Sequence, residues 1–253
     1  MARRRHRTTV RLTGIRLREQ GTHDSFCAYY AAAMLLCTLR PEMDDDFDAV
    51  DVKHDPLFSH LPRAPRRTLE RTVADWLTTG VRFGPLARSL NETSKPRLRK
   101  TKHKPRGDVG DHPKTRFRAR RLTFGARTLD LLRSNVDEGL PCVLGWESQE
   151  LGNHTVLVVG YDRYARRGGH RWLRVLDPTR GQDIIEWGQL ARVATAPADV
   201  IWCVAHDGVR PDRVTVDRDA EGNVLRSRFE RYSPKERAWE SLIGPPRPTR
   251  TKR

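Results

Sequence analysis

The segment FCAYYAAAMLLCTL, residues 26–39, contains no charged side chain and gives a helix no polar face. A helix that is hydrophobic all round is stable only where protein covers every side of it, so this one must sit at the centre of the fold. A chain of 253 residues is long enough to supply that cover in one core, with appendages. Pro41 stops the helix, because a proline drives the residue before it out of helical geometry.

Cys27 heads this helix, directly behind Gln20, His23, Asp24 and Ser25. Two readings follow. In one, Asp24 or Ser25 caps the helix and Cys27 packs as a small apolar side chain. In the other, a thiol on the first helical turn sits in the positive end of the dipole, which lowers its pKa and favours a thiolate.

Further along, TLERTVADWLTTG (68–80) has helical spacing of Leu69, Val73, Trp76 and Leu77, and GPLARSLN adds a turn or two. RTLDLLRSNVDEG places Leu129, Leu132 and Val136 on one helical face and ends at Gly139. Strands are expected at LPCVLGWES, HTVLVVGYD, RWLRVLDP, DIIEW and VIWCVAH, with YARRGG as a turn. Helices first and then a mainly antiparallel sheet make an α+β chain. Residues 210–253 add one hairpin around DAEGN and a Pro/Arg-rich tail.

The net charge of +16 is unevenly placed. Residues 1–18 hold seven Arg and no acid, residues 95–121 twelve Lys or Arg against two Asp, and the last ten residues four basic groups. The remainder holds 25 basic and 30 acidic residues, so the globular part is mildly acidic. The expected organisation is a basic tail over 1–13, one domain over 14–208 and a terminal segment over 209–253. A disordered basic insert is expected at 93–121 within the domain. The insert and tails either bind nucleic acid or another polyanion, or are solvated flexible segments. Of the 48 basic residues 40 are Arg, a bias that GC-rich codon usage also produces.

No run reaches the length of a membrane-spanning helix, and the basic start lacks the apolar stretch of a secretory signal. The expectation is a cytoplasmic protein with no membrane partner. The four cysteines, Cys27, Cys37, Cys142 and Cys203, lie far apart without a CxxC pair. That argues against a disulfide framework and a structural zinc site, and no metal or cofactor is expected. Cys37 and Cys142 are assigned to packing.

Cysteine chemistry needs a base, a group to orient it and donors for the oxyanion. His154 opens the strand HTVLVVGYD and Asp177 closes RWLRVLDP. Facing residues of an antiparallel hairpin have a constant positional sum, and the midpoint of 154 and 177 falls inside the turn 163–169. A symmetric hairpin therefore sets His154 opposite Asp177. His23 is a competing base, assigned to a surface loop, and Asp162 is read as a strand end.

These residues resemble the papain-like cysteine peptidases, and most closely their bacterial C39-type branch. The resemblance rests on Gln20 ahead of the helix-heading Cys27, on GNHTVLVVGYD and on VLDP. It covers about 14–45 and 125–205, with departures: Gln20 precedes Cys27 by seven positions rather than six, and Ala28 stands where the family has Gly. It implies a papain-like fold with Cys27 as nucleophile, His154 as base, Asp177 as orienting acid and Gln20 as oxyanion donor. The implied activity is a cysteine peptidase acting on a peptide or protein substrate. A papain-like acyltransferase or amidase, and a non-catalytic module that binds a polyanion, are the alternatives.

Overall fold

The computed structural model describes residues 6–20, 26–44, 47, 57, 82–95, 114–150, 152–164 and 171–242. The expected helix 68–80 and residues 165–169 of the expected turn YARRGG lie outside these residues, as do His23, Asp24 and Ser25.

The apolar run folds as helix α1, Cys27–Leu39. Ala31 to Leu36 are at most 1% exposed, so both flanks of the helix are covered, as its composition requires. It ends at Arg40, and Pro41–Met43 follow as a 3-10 turn. Arg40 is itself buried; its guanidinium bonds Glu42 and donates 3.0 Å to the Ser94 carbonyl. That carbonyl lies at the end of α2, Phe83–Thr93, a full helix where the sequence suggests only a turn or two. Leu86 and Leu90 of α2 join α1 in one core cluster.

The remainder is a mainly antiparallel sheet, ten strands among the described residues. They are β1 (Arg7–Leu12), β2 (Thr115–Leu122), β3 (Cys142–Ser148), β4 (Gly152–Tyr164) and β5 (Trp172–Asp177). After them come β6 (Gly181–Glu186), β7 (Ala198–His206), β8 (Arg213–Arg218), β9 (Val224–Ser233) and β10 (Ala238–Leu242). Helix α3 (Ala126–Asp137) precedes β3, and α4 (Trp187–Val193) follows β6. The order is β10-β9-β8-β1-β4-β3-β7-β2, with β5 and β6 branching from β4. The architecture is α+β, as the order of elements predicts.

β4 organises this sheet. Its first half pairs with β3 and its second half with β1, while β5 takes the opposite edge. Alternation then divides the core. Leu157 and Val159 point to α1 and α2, and Val156 and Val158 point to Leu129, Leu132 and Val136 of α3.

Four expectations need correction. Residues 7–12, read as tail, form β1, because Val10 and Leu12 point into the α3 side of the core. Residues 115–121, read as part of a disordered insert, belong to β2, because Phe117 and Ala119 pack on the α1 side while arginines alternate outward. The hairpin around 219–223 forms as β8–β9, but β10 extends it and all three continue the main sheet through β1. Asp162 also lies within β4 rather than ending it. Its carboxylate is fully buried and accepts bonds from Arg7, from Thr9 (2.7 Å) and from Arg174 (3.0 Å). Breaking such a pair strands a charge, so it fixes which residues of β1, β4 and β5 meet.

Gly160 sits where β4 changes partners, and a β-carbon there would lie 2.5 Å from the Val10 carbonyl oxygen. Both groups are backbone, so neither can swing away. Gly160→Ala is expected to cost about 1–3 kcal/mol through overpacking, read as a lower urea midpoint at unchanged slope.

Candidate active site

His154 and Asp177 meet. His154 Nε2 lies 2.7 Å from Asp177 Oδ2, and the two side chains are 13% and 5% exposed. The route differs from the symmetric hairpin. β4 and β5 pair Leu157 with Leu176, two steps off the expected register, and a bulge follows between Val158 and Gly160. Carried one residue further, that register sets Asp177 across from Val156, which makes His154 its diagonal neighbour on the same face. Diagonal pairs are within reach of long side chains.

Each partner is held from a second side. Asp177 Oδ1 accepts the backbone N–H groups of Thr179 (2.8 Å) and Arg180 (3.3 Å), the turn that Pro178 introduces. Burial pushes the Asp177 carboxyl up, but the bond from His154, its charge and the two N–H groups outweigh burial and hold it below the ordinary value. The His154 ring meets the Trp146 ring edge-on at 5.0 Å, because β3 and β4 pair these two residues. Trp146, His154 and Asp177 line a cavity of about 560 Å³ whose other walls include Ser148, Arg180 and Glu186.

Cys27 lies against the same stretch of β4 from the α1 side. Its thiol faces the Asn153 carbonyl at 4.0 Å. Burial pushes the Cys27 pKa up. The Thr155 hydroxyl and the N–H groups of Ala28 and Thr155 pull it back, and the Asp177 charge adds to the rise. The dipole effect expected at a helix start is thus overridden by desolvation. Among the described residues no contact joins the Cys27 sulfur to the His154 ring, and Cys27 is not among those lining the cavity. Alternation explains this: Thr155 faces α1, and His154 faces Trp146.

Gln20 is brought to the same end of the sheet. Its backbone N–H donates 2.9 Å to the Pro178 carbonyl, which ties the chain ahead of α1 to the residue after Asp177. Cys37, Cys142 and Cys203 are buried; burial raises all three thiols, Cys37 to about 12 and Cys203 to about 11. Among the described residues no three His, Cys, Asp or Glu side chains gather as metal ligands.

Sequence reasoning missed Thr155, the hydroxyl beside the thiol, and Trp146, the brace of the imidazole. The signal for Thr155 was period-two alternation along HTVLVV, which turns it from His154 and toward the helix.

No family model and no curated protein matches the chain. Among solved structures it is weakly similar to a double glycine motif protease from an AMS/PCAT transporter, crystallised with the leader peptide. That match has 12% identity and a TM-score of 0.34, covering 76% of this chain and 97% of the other. It is also weakly similar to the Pseudomonas avirulence protein AvrPphB, at 10% identity and a TM-score of 0.32, covering 76% and 98%. Among the described residues no helix is long and apolar enough to cross a membrane.

A carboxyl whose folded pKa is lowered stabilises the fold above its unfolded pKa, and that contribution is lost as pH falls through the folded value. Asp177→Asn is therefore expected to lower stability by about 2 kcal/mol near pH 7, the scale of a charge-assisted bond. The gap should close as pH falls below the ordinary carboxylate range and through the lowered folded value of Asp177, where its carboxylate protonates. Urea unfolding of both proteins across that range checks it.

Proposed function

We propose that the chain is a papain-like cysteine hydrolase that cleaves a peptide or isopeptide amide with Cys27, His154 and Asp177. The observation that carries this reading is the His154–Asp177 bond on a strand whose neighbouring residues, Asn153 and Thr155, hold the Cys27 sulfur.

The chemistry follows from the proton positions. Asp177 is charged at neutral pH, so the His154 nitrogen that faces it, Nε2, carries the proton. Nδ1 is left with its lone pair and serves as the base. It takes the thiol proton, the sulfur attacks the carbonyl carbon, and the C=O π pair moves onto oxygen. Collapse expels the amine, which takes the proton back from Nδ1. Water, activated by the same nitrogen, then releases the acid and the thiol. A papain-like transferase would replace that water with an amine acceptor. Gln20, held at Pro178, is the proposed donor to the oxyanion.

This cycle requires the Cys27 sulfur and the His154 ring to meet when substrate binds. The resting contacts of the sulfur are with Asn153, Thr155 and Ala28, and catalytic hydrogen bonds often close only in the substrate complex. The same resting contacts favour a second reading, a non-catalytic papain-like module in which a buried thiol is merely satisfied by its neighbours.

Iodoacetamide labelling with peptide mapping separates the two. Cys27 should be alkylated faster than Cys37, Cys142 and Cys203 near pH 8, and His154→Ala should slow its labelling about tenfold or more by removing the base. Equal rates in wild type and His154→Ala, or faster labelling of another cysteine, would select the non-catalytic module.

A further inference from the structure

We propose that the sheet face carrying Arg116, Arg118 and Arg120 beside Trp202 is a binding surface for single-stranded nucleic acid. It is separate from the thiol site and does not depend on whether Cys27 is reactive.

The three arginines lie on β2, which among the described residues pairs only with β7 and so ends the strand order. Alternation sorts this strand cleanly. Phe117 is buried and Ala119 packs on the α1 side, so Arg116, Arg118 and Arg120 point together to the opposite face, where all three are exposed. Every second residue of an extended strand is spaced by about 6.8 Å, so the guanidiniums follow one another along one row, with a register shift against β7 between Arg116 and Phe117. Among the described residues none of the three has a carboxylate partner. Asp199, the acid nearest in register, takes Arg121 instead, at 3.4 Å.

An indole stands in the same row. Trp202 of β7 is paired directly with Arg118 and is only partly buried at the margin of the α3-side core. Helix α3, which covers that face of the sheet, packs on β4, β1 and β3 and leaves the Arg row in solvent. In the sequence, eight Lys or Arg and two Asp over residues 95–114 lead straight into β2.

Charge complementarity selects the occupant. A row of unpaired guanidiniums suits a backbone with one negative charge per repeat, and an adjacent indole offers a stacking platform for a base whose face is free. A duplex hides its base faces, so the aromatic partner favours a single strand over a double one. The competing account is that the arginines only guard an exposed edge against pairing with another chain.

Fluorescence anisotropy of the full chain with a labelled oligo-dT or oligo-U of about twelve nucleotides tests this. Arg116→Gln/Arg118→Gln/Arg120→Gln is compared with Arg226→Gln/Arg228→Gln/Lys235→Gln, which removes the same charge from the β9 side. The first variant should bind at least tenfold more weakly. The slope of log affinity against log salt should flatten by about two, near 0.7 for each phosphate that is no longer neutralised. The second variant should stay within about threefold of wild type. Far-UV circular dichroism verifies that both are folded, and Arg118→Gln alone, with an expected threefold or greater loss, serves if the triple variant is not. Absence of binding by wild type at low salt would overturn the proposal and leave the arginines as edge guards. So would equal losses in the two variants, or competition by inorganic polyphosphate or duplex DNA as effective as by the single strand.

Discussion

A helix without a polar face has to be enclosed, and enclosing α1 dictates most of what surrounds it. One flank takes Leu86 and Leu90 of α2, and the other takes Leu157, Val159 and Leu176 from the sheet. A strand that gives its odd residues to one helix has its even residues left over, and these need a cover of their own. Helix α3 and Trp187 supply it, against Val156 and Val158. The two-faced sheet is thus the consequence of one apolar helix meeting one long strand. β4 serves both layers, and three other strands find their places by pairing along its edges.

The candidate site inherits its geometry from that division. His154 belongs to the face with Trp146, while the Cys27 sulfur rests on backbone and on Thr155 at the helix-facing side. The imidazole is clamped from two directions, by an indole edge and by a carboxylate that two backbone N–H groups hold still. The thiol is cushioned by donors but kept protonated by its burial. A resting site of this kind holds an oriented imidazole apart from an unionised sulfur, so the reactivity proposed for it depends on proton transfer during substrate binding rather than on a standing thiolate.

Where burial and periodicity agree, the sequence was legible. α1, α3 and the strands from β3 to β7 lie where their apolar spacing predicts them, because most of their inward residues are Leu, Val, Ile and Ala. β1 and β2 were missed for one reason: RTTVRL and TRFRARRL alternate over most of their length, but four of six residues in the first and five of eight in the second are arginine or threonine, and charge masked the alternation. The short helix α4, seven residues around Trp187 and Leu190, has too few turns to show a period. At the site, the pairing of His154 with Asp177 was legible from strand ends. The register was not, because Asp162 pairs with Trp172, which already displaces the hairpin from the expected centre, and the bulge at Val158/Gly160 takes back only one step of that displacement. Nor was the face on which Cys27 lies, which depends on the packing of α1 across β4.

The position of β1 has a consequence for how the chain acquires its shape. Thr9 bonds Asp162 across 153 residues, and Thr8 bonds Asp217 across 209. A strand near the start of the chain is inserted between two partners that are synthesised much later. Local contacts cannot assemble such a sheet, and long loops must close before the pairing is rewarded, which places the fold among slow, high-contact-order topologies. Until β4 is made, β1 waits with both backbone edges unpaired, and until β8 is made one of them stays open. Its arginines and threonines, together with the positive charge that precedes it, give that waiting segment a polar character that discourages premature association with other chains.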